Sequence, residues 1–443
     1  MRLLHTSDWH LGRMLYGENL LTHQSVFLGW LLEQALAHDV HAVVVAGDIY
    51  DRAVPTTDAV TVLDQALQGF AAARIPVLIT SGNHDSAVRL GFGSRLSELA
   101  GVHLRTAVAD IERPVVLADE HGEVALYGIP YLLPDAVMDE LGAERSHASV
   151  LAAAVRLIRA DADERGITRT VAAAHAFITG GIPSDSERDI RVGGIGDAPA
   201  SVFAGLTYVA LGHLHGQQDL SAWAPGTTVR YSGSPLAFSF SERHHAKSVT
   251  LAEIDGAGQV RTTKLATPVP RKLREVRGRL EDLLAGAGPA GDGELADAWV
   301  RVVLTDPVRP AAPMERLRAR WPHTLVLDFH PEGEMTSAAS DLSRLARTAD
   351  PVQICGHFVE FTSGGAADDG QLGVLRDVVE AVLATDHAGQ EDARRRADDL
   401  ADAGSIDEWL ANAGRAGGWA ADADVAYPGR GGQRDRDGDR GAA

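Results

Sequence analysis

The sequence predicts an α/β fold built on a parallel sheet, and three observations predict it. Strand-length apolar runs alternate with helix-length amphipathic ones through the first part of the chain. Each such run ends in a short block of metal-ligating residues: Asp8-Trp9-His10, Gly47-Asp48-Ile49-Tyr50-Asp51, Gly82-Asn83-His84-Asp85, a single His175, and Gly212-His213-Leu214-His215. Turn-separated β-rich segments begin only at Val229. Strands linked by helices imply a parallel sheet, with functional loops at the carboxyl ends of its strands.

The elements follow in order. Arg2 to Thr6 reads as a strand, and Thr22 to His38 as a helix with Phe27, Trp30, Leu31 and Gln34 along it. Val40 to Ala46 is a buried strand, Thr57 to Arg74 a helix, and Ile75 to Thr80 a third strand ending at Ser81-Gly82. Leu151 to Arg165 is helical, Thr170 to Ala174 delivers His175, and Thr207 to Leu211 delivers His213. Val229 to Ser232, Lys247 to Ile254 and Val260 to Thr267 are expected to pair antiparallel, with Asp255-Gly256 as a hairpin signal. After Pro268-Val269-Pro270 a smaller α/β unit has strands at Leu273 to Val276, Trp299 to Leu304 and Thr324 to Phe329, interrupted by a loop from Ala285 to Glu294. Helices follow from Asp350-Pro351 through Phe361 and from Leu372 to Leu383, joined by a Gly/Asp-rich linker. The chain beyond Thr385 is charged, glycine-rich and expected to be disordered.

Composition narrows the function classes. A length of 443 residues with 45% hydrophobic content suits two or three globular domains. The apolar runs are far too short to span a membrane, and the opening residues read as strand and not leader, so the expected location is cytoplasmic. The single Cys355 excludes a disulfide framework and a multi-thiolate zinc site. A net charge of −20 disfavours a polyanionic partner in bulk, but bound cations would supply local positive charge that residue counting misses.

The five blocks carry the chemistry. Asp8 and His10, two apart on extended backbone, are expected to point the same way and give one cation an oxygen and a nitrogen. Asp48 can bridge two cations through its two oxygens. Asn83 adds a neutral oxygen, and His175, His213 and His215 complete both shells, His213 and His215 each serving a different ion. A sulfur-free set of this kind suits manganese, iron or zinc better than calcium, with magnesium also possible. Paired ions roughly 3.5–4 Å apart favour attack of water on a phosphate ester. His84 is left free for the substrate, to stabilise the phosphorane-like charge or protonate the leaving oxygen. Asp51 or Asp85 is expected to orient its imidazole.

Taken singly, every block has an ordinary explanation as a loop, turn or helix cap. Five at successive strand ends argue for a dinuclear site. His244-His245, in a polar turn, receives no role.

The blocks Asp-x-His, Gly-Asp-x-x-Asp, Gly-Asn-His-Asp, His and Gly-His-x-His resemble those of the calcineurin-like metallophosphoesterases. Within them, Met1 to Gly12 (MRLLHTSDWHLG), Val45 to Asp51, Tyr231 to Pro235 and Pro270 to Arg274 are similar to the SbcD family, nuclease subunits of bacterial SbcCD DNA-repair complexes. That resemblance implies a four-layer α/β/β/α sandwich with a small α/β capping domain and C-terminal helices. It implies domains at 1–268 (nuclease), 269–349 (capping and DNA-contacting) and 350–385 (helical, SbcC-binding), before a tail at 386–443. It also implies that Asp8, His10, Asp48 and His215 hold one manganese, that Asp48, Asn83, His175 and His213 hold the other, and that His84 is the catalytic histidine. The implied partners are DNA and an SbcC-type coiled-coil ATPase in a heterotetramer containing a homodimer of this chain.

The apolar stripe Val352, Cys355, Phe358 and Val359 fits that partner or a hairpin packing on its own domain. Arg13, Arg52 and Arg89 near the ligand loops, with Arg271, Lys272, Arg274 and Arg277 entering the cap, are candidate DNA contacts. The expected activity is exonucleolytic on double strands and endonucleolytic on single strands and hairpins, gated by the partner's ATP hydrolysis. No Gly-x-x-x-x-Gly-Lys-Ser/Thr loop occurs in this chain. The alternatives are a stand-alone small-nucleotide phosphodiesterase or phosphatase, and a non-catalytic DNA-binding scaffold.

Overall fold

The structure is a computed structural model that describes residues 1–187, 197–286, 292–332, 350–363 and 366–382. The chain divides into two compact units, Met1–Glu334 and Met335–Ala443.

Two six-stranded sheets form the centre of the first unit. In one, Arg2–Thr6, Ala42–Ala46, Val77–Thr80 and Val102–Arg105 run parallel, and Ser248–Ile254 and Val260–Ala266 add antiparallel at the edge beside Arg2–Thr6. In the other, Gly122–Ile129, Arg169–His175, Tyr208–Gly212 and Thr228–Tyr231 run parallel, flanked by Val115–Asp119 and the short Gln218–Asp219.

The period-two alternation of strand side chains sorts these sheets into layers. Leu3, Val44 and Leu78 of the first sheet meet Leu126, Val171, Tyr208 and Ala210 of the second in a shared core. Their neighbours Leu4, Val43, Val45 and Ile79 turn outward, in one cluster with Phe27, Leu31, Leu63 and Phe70 of the helices Leu21–Ala37 and Thr57–Ala72. On the far side Ala125, Tyr127, Ala172, Val209 and Leu211 pack beneath Val150, Ala154 and Ile158 of the helix His147–Arg165. The order is helix, sheet, sheet, helix. A deletion such as Leu78→Ala, fully inside the central layer, would cost about 2–5 kcal/mol.

One strand departs from expectation. Thr228–Tyr231, expected to be antiparallel, lies parallel to Tyr208–Gly212. A parallel return normally needs a long, usually helical crossover; here a short strand and a single turn of 3₁₀ helix at Ser221–Trp223 bridge it. The Asp255-Gly256 hairpin is a wider loop, closed by Asp255 N–H donating to Gln259 O at 3.0 Å. Val102–Arg105, Val115–Asp119 and Gly122–Ile129 are strands beyond those the sequence pattern predicts.

Leu273–Gly278, Trp299–Leu304 and Thr324–Phe329 form a separate three-stranded parallel sheet. Its core joins Val276, Leu280, Val300 and Val302 to Leu317 and Trp321. A further cluster ties this sheet to the sandwich: Leu273 and Trp299 pack with Leu15, Leu236, Phe238 and Phe240. The change of architecture after residue 268 therefore falls inside one compact unit.

In the second unit Pro351–Ser363 is helical, as are residues 369–382. The expected tail at 386–443 lies outside the described residues.

Candidate metal centre

The ligand loops meet at the carboxyl ends of strands from both sheets. Asp8 and His10 do not share a side of an extended strand, as the spacing alone suggested. Both adopt left-handed backbone, with φ of 54° and 44°, and Asp48 does the same at 50°. Residues other than glycine take that conformation at a cost on the order of 1–3 kcal/mol each. It is held here by two hydrogen bonds from the first ligand loop to the second: Asp8 N–H donates to Gly47 O at 3.1 Å and His10 N–H to Asp48 O at 3.0 Å. A β-carbon on Gly82 would collide with Asp48, and one on Gly212 with Ala46 O, so glycine is required at both approaches.

The side chains divide into two groups with Asp48 between them. His10 and His215 bring their Nε2 atoms to 3.2 Å from each other. His175 Nε2 lies 2.9 Å from Asn83 Oδ1, and its ring is 5.4 Å from that of His213. Asp48 Oδ2 is 3.6 Å from His10 Nε2 and 3.4 Å from His175 Nε2. Asp8 has donor atoms within 4.8 Å of those of His10 and His215 on one side and of Asp48 and His175 on the other. All of these except Asn83, which is half-buried, are buried.

The hydrogen-bond pattern fits cations. His175 Nδ1 donates to Ala46 O at 2.9 Å, which leaves Nε2 a bare lone pair aimed at another acceptor, the Asn83 oxygen. The Asn83 amide and the Nε2 lone pair converge at 2.9 Å, where one cation would meet both an oxygen and a nitrogen donor. Burial, and then the neighbouring Asp48 charge, pushes the Asp8 carboxyl well above its usual range. Burial likewise raises Asp48. His10 is driven far below its usual value by burial and then by His215, and burial takes His175 down to about 4. Buried carboxylates and neutral imidazoles that converge in this way are a ready-made site for divalent ions.

His84 stands beside this group, its ring 4.6 Å from that of His10. One of its nitrogens lies within 4.8 Å of donor atoms of His10 and Asp48. Its backbone N–H donates to Asp48 Oδ1 at 2.9 Å, and its Nδ1 contacts the main-chain oxygen of Asp51 at 2.8 Å. The Asp51 carboxylate, expected to orient His84, instead faces Arg13 at 3.3 Å and His10 Nδ1 at 3.8 Å. Asp85, the other expected orienter, accepts from the backbone N–H groups of Gly82, Ile49 and Tyr50 and ties two ligand loops together. Burial, then the Asp48 charge, raises it to about 6.

Residues that carry no motif in the sequence surround His215. Its backbone N–H donates to Glu187 at 2.7 Å, and its Nδ1 lies 2.6 Å from Ser186 Oγ. Ser186 also contacts the buried Glu242, which pairs with Lys247. Burial opposes ionisation of Glu242, but the Lys247 ammonium beside it brings the net shift downward. Ser7 donates to Asp8 Oδ2 at 2.5 Å and contacts Ser232 at 2.9 Å. Of these residues, only Ser7 and Ser232 fall within motif stretches the sequence singles out, Met1 to Gly12 and Tyr231 to Pro235.

The candidate DNA contacts separate by environment. Arg13, Asp51, Arg52, His84 and Ser186 line a cleft of about 360 Å³. Arg13 is engaged by Asp51, by Ser186 O at 2.8 Å and by the Phe238 ring at 5.0 Å, whereas the Arg52 side chain is 78% exposed and approaches Asp51 only at 3.8 Å. Arg89 donates to Ala53 O at 3.2 Å. Arg271 and Arg274 pair with Asp297 and Glu294, and Lys272 is exposed. In the second unit Val352, Cys355 and Val359 are half-buried, while Phe358 is exposed. No helix among the described residues is long and apolar enough to cross a membrane.

A sandwich of this layering, with buried oxygen and imidazole donors at its strand ends, defines a metal-dependent phosphoesterase, and residues 1–217 match the calcineurin-like phosphoesterase family. Residues 269–362 match a family described as the type 5 capsule protein repressor C-terminal domain. The SbcD component of nuclease SbcCD from Staphylococcus saprophyticus is 30% identical over 74% of this chain and 84% of its own length. Its counterpart in Rhodobacter capsulatus is 35% identical over 72% and 80%. The chain belongs to the SbcD family of SbcCD nuclease subunits. Among solved structures, the calcineurin-like phosphoesterase YfkN of Bacillus subtilis aligns with 14% identity over 60% of this chain and 90% of that one, at a TM-score of 0.37. A dimetal phosphatase of Danio rerio gives 13%, 60%, 96% and 0.37.

Proposed function

We propose that this chain hydrolyses DNA phosphodiester bonds as the nuclease subunit of an SbcCD-type complex, using two divalent ions, manganese first among them. The observation that carries the chemistry is the facing of unprotonated acceptors, His175 Nε2 against Asn83 Oδ1, beside the Asp48 carboxylate. Asp8, His10, Asp48 and His215 would hold one ion, and Asp48, Asn83, His175 and His213 the other. When bound, such ions lower the pKa of water and neutralise charge building on the phosphate.

The chain's own residues do the rest. Donation from His84 Nδ1 to the Asp51 carbonyl fixes the ring and assigns Nε2 to proton transfer. As the oxygen of water, its proton released to solvent, bonds to phosphorus, the P–O ester bond breaks and the departing oxygen takes the Nε2 proton of His84 in its imidazolium form, which solvent then restores. Arg52, at the cleft, is the best placed of the candidate arginines to meet a backbone phosphate.

The relatives' name, a subunit of a nuclease complex, supports a partner subunit; ATP hydrolysis would fall to that partner, since this chain has no phosphate loop. On this reading 1–268 is the nuclease, 269–349 a capping domain and 350–385 the partner-binding helices. The chain would pair with itself inside a cytoplasmic heterotetramer. The test is manganese-dependent cleavage of a hairpin DNA with and without the coiled-coil ATPase. Cleavage confined to small nucleotide esters in both conditions would replace this reading with a stand-alone phosphodiesterase.

A further inference from the structure

We propose that the buried Glu242–Lys247 pair is a positioning device for the metal ligand His215, working through Ser186. The inference rests on the dinuclear reading above and assigns two residues that the ligand set does not include.

Both side chains are almost wholly buried, Glu242 at 0% exposure and Lys247 at 3%. Every strong hydrogen-bonding direction at the pair leads toward His215. Lys247 Nζ donates to Glu242 Oε2, to His215 O at 2.9 Å and to Ser234 Oγ at 2.8 Å. Glu242 Oε1 accepts from Phe238 N–H at 3.1 Å and from Ser186 Oγ at 2.5 Å. Ser186 Oγ lies 2.6 Å from His215 Nδ1.

These contacts determine where the hydrogens sit. The carboxylate beside an ammonium only accepts, so Ser186 must donate its single hydrogen to Glu242. The serine oxygen then has lone pairs alone to offer His215, and Nδ1 must carry the imidazole hydrogen. Nε2 is left bare, and it is Nε2 that faces His10 Nε2 at 3.2 Å. The lysine end fixes the same histidine through its main-chain oxygen, so ring and backbone are held by one pair.

Stability does not explain such a pair. A buried ion pair returns little or nothing over apolar residues of the same volume, because desolvation offsets the attraction. It does impose one geometry and one tautomer on a ligand, as outer carboxylates do at metal–histidine sites.

The test uses the full-length protein and Mn²⁺. Calorimetric titration counts the ions, and ¹⁵N imidazole spectra of the metal-free protein read the His215 tautomer. Two ions should bind the parent, and His215→Ala should lose one. If the parent binds fewer than two, or His215→Ala keeps both, the dinuclear reading fails first. Glu242→Gln should weaken one ion by roughly 10- to 100-fold, leave the other unchanged, and shift His215 away from its Nδ1–H form.

The double variant Glu242→Gln/Lys247→Met removes the stranded charge and separates positioning from packing. It should recover the parent's thermal midpoint while the weakened ion stays weak. Recovery of both, or parent-like ion binding and tautomer in Glu242→Gln, would overturn the proposal. Should Glu242→Gln fail to fold, the double variant alone decides by the same two measurements.

Discussion

His175 Nε2 and Asn83 Oδ1 face each other at 2.9 Å, and with Nδ1 donating to Ala46 O neither atom has a hydrogen to share. A cation at this point would be met by both an oxygen and a nitrogen donor. Mn²⁺ at about 100 times its dissociation constant should stabilise the protein by about 2.7 kcal/mol per site, read as a rise of several degrees in the thermal midpoint. Asn83→Ala should lose at least tenfold in affinity at one of the two ions. Parent-like binding of both ions by that variant would remove Asn83 from the ligand set.

His84→Ala tests the separation of chemistry from metal binding. Loss of a positioned proton donor costs roughly 10²- to 10⁴-fold in kcat, while two ions should still bind. If ion binding falls together with cleavage, His84 belongs to the metal shell, which its proximity to His10 and Asp48 allows.

How much of this site is legible in the sequence follows from where the residues lie. Asp8, Asp48, Asn83 and His213 each terminate a strand-length apolar run, so local pattern alone exposes them. Glu242 and Lys247 flank a polar turn with no periodicity, and only the fold brings them to His215. Spacing locates the strand ends for partly the wrong reason, since positive φ and not extended backbone aims Asp8 and His10. Thr228–Tyr231 reads as antiparallel because nothing between it and Gly212 resembles a crossover helix. Strand pairing is decided by distant partners, and those do not show in a local window.

His5 supplies a pH prediction away from the metal ligands. It is fully buried, contacting Tyr208 OH at 2.8 Å and Leu211 O at 3.1 Å, and burial takes its pKa from 6.5 down to about 3. The unfolded chain protonates below pH 6.5 while the folded one stays neutral. The unfolded state therefore gains protons first, and stability is full above about 6.5 and lost progressively as pH falls toward about 3. Between about pH 6.5 and 4.5 this amounts to about 2 kcal/mol. His10 and His175 titrate in the same direction, so the comparison is with His5→Gln, whose amide can still donate to Leu211 O. In metal-free protein the variant's midpoint should fall less steeply over that interval. Identical slopes would mean that His5 is not the source.

Arg52 offers a test of DNA contact that leaves the metals alone. An exposed arginine that meets one phosphate should, when changed to alanine, weaken binding evenly across sequences and lower the salt slope by about 1. Arg271→Ala should change less, because its side chain is 27% exposed and pairs closely with Asp297, whereas Arg52 is 78% exposed and only 3.8 Å from Asp51. A larger effect at Arg271 than at Arg52 would move the DNA path from the cleft to the cap.

The second unit yields the partner prediction. In the helix Pro351–Ser363 the large Phe358 side chain is 62% exposed, and over 369–382 Val374, Val378 and Val382 are each more than half exposed. A spacing of four places the three valines on one helical face. An apolar helix face this exposed is costly in water and suits a groove-type helical interface. Phe358→Glu should weaken ATPase binding at least tenfold while manganese-dependent cleavage of small phosphodiesters is unchanged, since the ligands all lie in Met1–Glu334. Truncation at Asp350 should abolish ATPase binding with the same activity retained. Intact binding after truncation would place the partner on the sandwich or its cap, and the helices would then be packing on their own unit.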